Sequence, residues 1–133
     1  MAAITLDQLL TAREKKPLKV PTPEIEPGGF CYVAGLGADD RDLMEMQWKA
    51  FAEASETERV GFRKFVVAWC LCDENNIRTL EPGTNEGYMQ PAFIKQMITL
   101  GETIPLPALA RLFDAAFKQM GYSAEDVEEL EKN

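Results

Sequence analysis

Apolar residues in this chain recur first at helical spacing, then in two short strand-like runs, then at helical spacing again. Leu6, Leu9 and Leu10 fall on one side of a short helix over about residues 5–15, with Thr5 as its candidate cap and Pro17 as its stop. From 18 to 36 the pattern changes. Leu18-Lys19-Val20 and Phe30-Cys31-Tyr32-Val33 are rich in strand formers, and prolines and Pro27-Gly28-Gly29 separate them, which predicts a β-hairpin turning at Gly28-Gly29.

Beyond Gly37 the periodicity is helical with one long interruption. Asp39 or Asp40 can cap a helix to about Ala54 that turns Leu43, Met46, Ala50 and Phe51 inward, with Met44 and Trp48 widening that face. A second helix from about Glu58 carries Phe62, Phe65, Val66, Trp69 and Cys70. Its end, Phe65 to Cys72, is apolar on nearly every side and should be the buried centre, with Trp69 among the most buried residues. Asp73-Glu74-Asn75-Asn76 reads as a turn and Glu81 to Gly87 as a loop, leaving the segment between as either a short strand or irregular chain. Pro91 suits a first helical position, followed by Phe93, Ile94, Met97 and Ile98 up to Gly101. Leu106, Leu109, Phe113, Ala116, Phe117 and Met120 mark the clearest amphipathic helix, with Gly121 as its C-cap. Ser123 and Asp126 form a variant capping box for a last helix with Val127 and Leu130 inward and Glu125, Glu128, Glu129 and Glu131 toward water. The expected fold is α+β, mainly α: one domain over 1–133, with an N-terminal hairpin against a bundle of about four to six helices.

Composition narrows the function. The 133 residues match a single domain, and an apolar fraction of 46% with 27% charged residues is ordinary for a folded chain. A net charge of −8 would repel a phosphate backbone, so no nucleic-acid partner is expected. No apolar run approaches a membrane span and the start has no signal-peptide pattern, so we expect a protein that remains in the cytoplasm with no membrane partner.

Histidine is absent, which removes the commonest general base and metal ligand. Cys31, Cys70 and Cys72 could offer three thiolates, but structural zinc sites use four ligands and usually Cys-x2-Cys spacing, so buried free thiols are the preferred reading. Asp39-Asp40, Asp73-Glu74 and Glu128-Glu129 sit at helix ends or on a wet face, where caps and solubility account for them better than acid-base chemistry. Gly28-Gly29 and Gly35-x-Gly37 lack the context of a phosphate loop. No catalytic residue, cofactor or metal is therefore expected.

Protein binding is what remains. A two-stranded hairpin is marginal in water, so Phe30 and Tyr32 must lean on helices or on another chain. Met44 and Trp48 lie beside a helix face already filled, and with the hairpin aromatics they form the candidate surface for self-association or client binding. Ordinary core remains an equal reading of Trp48.

The order of several short motifs resembles the small tail assembly chaperones of long-tailed phages and prophages. Those motifs are Val20-Pro21, Gly28-Gly29, Tyr32-Val33, Arg41-Asp42, Leu71-Cys72-Asp73-Glu74, Arg78, Leu109-x-Arg111-Leu112-Phe113-x-Ala115-Ala116, Gly121 and the ending from Ser123 to Asn133. The likeness runs nearly the whole length, and the departure is Glu81 to Gly101, which is longer and richer in Pro, Gly and Met than the family's short acidic loop and helix. The resemblance implies a protein in the host bacterial cytoplasm that binds the helical tape measure protein, helps recruit tail tube protein and is absent from the finished particle. It also implies that some members exist in a longer, frameshifted form. The alternative is a small structural virion protein, such as a head-tail connector or tail terminator, and an enzyme comes third.

Overall fold

A computed structural model describes residues 3–11, 16–54, 61–121 and 128–129. Its elements in chain order are α1 (Leu6–Thr11), β1 (Leu18–Pro21), β2 (Phe30–Val33), α2 (Ala38–Ala54), α3 (Phe62–Cys70), β3 (Leu71–Cys72), α4 (Pro91–Thr103) and α5 (Leu106–Met120). This is the expected α+β architecture, mainly α with an N-terminal hairpin. The predicted last helix falls largely outside the described residues, as do residues 12–15 of the first helix and the predicted start of the second near Glu58.

The hairpin closes where the sequence places its turn. Gly29 N–H donates to Glu26 O at 2.7 Å, and Gly28 between them has φ +76°. Pro27 at the second turn position and a left-handed third residue are the requirements of a type II turn, and glycine meets the second at no steric cost. Leu18 pairs with Val33 and Val20 with Cys31 in the antiparallel ladder, and Thr22 N–H donates to Gly29 O at 2.9 Å. That phase turns the backbone of Lys19 and Pro21 toward the outer edge of β1. Pro21 has no N–H to offer there, and its carbonyl is taken by Arg111 Nη1 of α5 at 2.7 Å while the same guanidinium pairs with Glu24.

The sequence pattern carries the second helix on to Cys72, but α3 ends at Cys70. Leu71 turns extended (φ −60°, ψ 131°), and Leu71–Cys72 becomes a third strand on the free side of β2. An apolar run cannot be divided into helix and strand by periodicity alone, and here the unpaired edge of a marginal hairpin decides the boundary. Ala34 N–H donates to Cys70 O at 2.7 Å, so the ladder runs directly into the helix end. Arg78 bridges back to Cys72, which makes 71–79 a second tight hairpin, so the segment left open by the sequence pattern is strand-like at Arg78. Its turn is held by Asp73 Oδ1, which accepts from Asn75 N–H and Ile77 N–H at 2.8 and 3.0 Å. Asn76, at φ +64°, acts as a surrogate peptide: its Oδ1 accepts from Gly35 N–H at 3.0 Å and its Nδ2 donates to Gly35 O at 3.2 Å.

The core forms around α3, whose Phe65 to Cys70 are all buried. α4 and α5 both lie against it, and α5 also covers β1 and β2. Gly101, read from sequence as a helix stop, is inside α4, which continues to Thr103. A Cβ there would lie 2.8 Å from Lys64 Cδ of α3, so a larger residue would have to displace that lysine side chain. Gly121 caps α5 in the left-handed conformation as expected.

α2 is rotated relative to the expected face. Met44, Gln47, Trp48 and Phe51 are buried, whereas Met46 is 45% exposed. Its first turn opens at Gly37, whose carbonyl accepts from Arg41 N–H, so Asp39 and Asp40 are first-turn acids rather than caps. Gln47 explains the rotation. It accepts from Trp69 Nε1 at 2.9 Å and donates to the carbonyls of Gly83 and Asn85 at 3.0 and 3.1 Å, so a polar residue holds an inward position that apolar periodicity assigns elsewhere.

Candidate interaction surface

The four side chains expected to bind partners divide into two pairs. Met44 and Trp48 are corrected to core: Met44 is 0% and Trp48 5% exposed, and the Trp48 ring lies 5.4 Å from Phe62 and 5.2 Å from Phe65. The α2 face is fully used inside the chain, because α3 supplies the aromatic layer that a count of one helix's own residues leaves out. Phe30 and Tyr32 are on the sheet as expected, and Phe30 is 45% exposed. Their rings meet edge to face at 5.4 Å, and Lys19 Nζ sits 3.9 Å over the Phe30 ring.

Strand pairing explains this exposure. In the β2–β3 ladder Tyr32 faces Cys72 and Val33 faces Leu71, but the chain turns away at Asp73, so β3 is too short to reach Phe30. A shallow groove of about 520 Å³ opens there, lined by Phe30, Cys31, Tyr32, Leu71, Asp73 and Glu74 among others. A second of about 540 Å³ adjoins it through the shared Leu71 and Thr79, and continues over Leu80 to Thr99, Leu100 and Thr103 of α4. Together they make one apolar strip crossing the sheet onto α4.

The threonines of this strip are more apolar than their type suggests. Thr99 Oγ1 donates to Lys95 O and Thr103 Oγ1 to Thr99 O, both at 3.0 Å, so each hydroxyl is engaged by its own helix. Charge lies at the two ends, with Asp73, Glu74 and the Lys19 ammonium beside Phe30 and with Lys95 on α4. Sequence reading missed Leu71, Leu80, Thr99, Leu100 and Thr103. Thr99 and Leu100 lay on a helix whose inward residues, Phe93 and Met97, were already assigned, which was the available signal, whereas Thr103 lies past Gly101, where the sequence pattern stops that helix.

The thiols have the character of packed side chains. Burial pushes Cys70 up to about 12 and Cys72 up to about 11, the latter with a further contribution from the nearby Asp73 carboxylate. Neither is a thiolate at neutral pH. Among the described residues no three of His, Cys, Asp and Glu converge as metal ligands, and no helix is long and apolar enough to cross a membrane. No protein-family model, characterised protein or solved structure matches the chain.

Proposed function

We propose that this protein is a tail assembly chaperone that binds the tape measure protein of a long-tailed phage, promotes tail tube assembly around it and is not retained in the virion. The carrying observation is the apolar strip from Phe30 and Tyr32 to Leu100, presented by a domain of net charge −8. An apolar-faced helix laid along such a strip has its hydrophobic side covered, while the acidic carrier keeps the complex dispersed. The motif order that resembles this family supports the same reading. The test has two parts. The protein should co-purify with the tape measure protein when the two are expressed together, and mass spectrometry of purified particles should find the tape measure protein without it. Stoichiometric presence in particles would overturn the chaperone reading in favour of a structural virion protein.

A further inference from the structure

The two halves of the strip offer a partner different chemistry. Over α4 the backbone is engaged inside the helix and the Thr99 and Thr103 hydroxyls bond to their own turns, so that half presents side-chain surface only. The sheet half also presents backbone. Thr22 N–H donates to Gly29 O and Ala34 N–H to Cys70 O, which fixes the phase of β2: Phe30, Tyr32 and Ala34 turn N–H and C=O away from β1 and toward the line of β3. Ala34 meets Cys70 and Tyr32 meets Cys72. The residue that would meet Phe30 is Glu74, but the chain has by then turned off, with Asp73 N–H donating to Ile77 O. Among the described residues neither backbone group of Phe30 has a partner. A strand position is vacant there, and the groove of about 520 Å³ opens along it.

We propose that an extended segment of a partner protein enters this position and adds to the sheet at Phe30, with an apolar residue opposite Phe30 and lysine or arginine on either side of it. The residue opposite exchanges a pair of hydrogen bonds with Phe30, in line with β3, and its side chain falls on the face of the sheet that carries Phe30 and Tyr32. Charge sets the flanks. Lys19 reaches the Phe30 ring from β1, on the occupied side, whereas the vacant side is bordered by Asp73 and Glu74. Asp73 Oδ1 is engaged by its own turn, which leaves the exposed Glu74 as the carboxylate for an incoming cation. Cys72 closes the line of β3, so at that end the segment leaves over Leu71 and Thr79 into the α4 half of the strip. A partner helix lying along α4 therefore gives way to extended chain where it reaches the sheet. Among its described strands a second copy could offer only the same single residue of open edge, since Pro21 and Arg111 close the edge of β1. The pairing rests on the sheet edge alone; that the segment belongs to a tape measure protein rests on the proposed function.

NMR titration of the isotope-labelled full chain with the synthetic peptide acetyl-Lys-Val-Lys-Val-Lys-Val-amide tests the pairing. The Phe30 amide resonance should move, and its exchange with solvent should slow by about tenfold or more at saturation, while the amides of Cys31 and Val33, which face β1, keep their exchange rates. The same peptide with its valines N-methylated should not bind, because the donor opposite Phe30 is gone. Glu74→Lys, at an exposed turn position, should weaken binding of the lysine peptide roughly tenfold. Glu74→Gln repeats the charge test with a neutral side chain of the same shape should Glu74→Lys fold poorly. A Phe30 amide that does not move, exchange unchanged in the complex, equal binding of the N-methylated peptide, or undiminished affinity in the Glu74 variants overturns the inference. So does a Phe30 amide already protected in the peptide-free chain, as pairing between copies would make it. No tape measure protein enters the titration, so its outcome and that of the co-purification test are independent.

Discussion

The aromatic residues of this chain meet opposite fates in two regions. Around α3, Trp48, Phe62, Phe65 and Phe113 lie ring against ring and are buried, and the one polar atom of the buried Trp69 is met by Gln47. On the strip, Phe30 and Tyr32 touch each other and Lys19, yet Phe30 keeps close to half its surface open. The difference teaches that residue type does not decide role here; the elements packed above it do. α2, α4 and α5 close over α3, whereas β3 stops short of Phe30. The first region buries its apolar area, and the second leaves part of it open to solvent.

Tryptophan truncation should separate the regions most sharply. Trp69→Ala and Trp48→Ala should each cost about 3–5 kcal/mol, enough to unfold a marginal domain, as read by urea or thermal melting. A Trp48→Ala protein with an unchanged melt and impaired association would return Trp48 to the surface and break the comparison. Gln47→Ala comes next. It leaves Trp69 Nε1 without its acceptor and two loop carbonyls without a donor, and should cost about 1–3 kcal/mol, with faster proteolysis at 83–85.

The core thiol gives a smaller, pH-dependent effect. Cys70 stays protonated in the fold up to about 12 against an ordinary 9.0, so between those values the unfolded chain binds fewer protons than the native one. Stability from this group is therefore complete below pH 9 and falls as pH rises, by about 1.4 kcal/mol per unit. Cys70→Ala should flatten the slope of urea stability against pH by that amount relative to the parent, and an equal slope in both would place the thiol in water. The smallest effect on stability belongs to Phe30→Ser and Tyr32→Ser, at about 0.5–1 kcal/mol each, with loss of tape measure co-purification despite intact folding. Should they unfold the chain instead, the strip is part of the core.

Much of the fold was legible because local chemistry decides it. Pro27-Gly28-Gly29 admits few turns, Pro91 and Gly121 bound helices by rules that need no tertiary partner, and α5 has one continuous face. The misreadings arise where a distant element decides. Leu71 and Cys72 are apolar enough for helix or strand, and the open edge of β2, some forty residues away, makes them strand. Gln47 is polar and buried only because Trp69 needs an acceptor. Met44 and Trp48 look surplus on α2 until α3 is laid across them. One end of the candidate surface, Phe30 and Tyr32, was visible as hairpin aromatics, while Leu80, Thr99 and Leu100 join it only once α4 folds back beside 71–80.

Pro21 and Arg111 also govern how this protein should fail under stress. Sheet proteins often aggregate from the native state when an outer strand recruits a neighbouring chain. At the outer edge of β1 the proline supplies no donor and Arg111 occupies its carbonyl, so a native chain is a poor template for fibril growth. Heat-induced aggregates should then arise from unfolded chains, after a lag set by the unfolding rate. Arg111→Ala frees the carbonyl and should shorten that lag at temperatures where the native state still predominates.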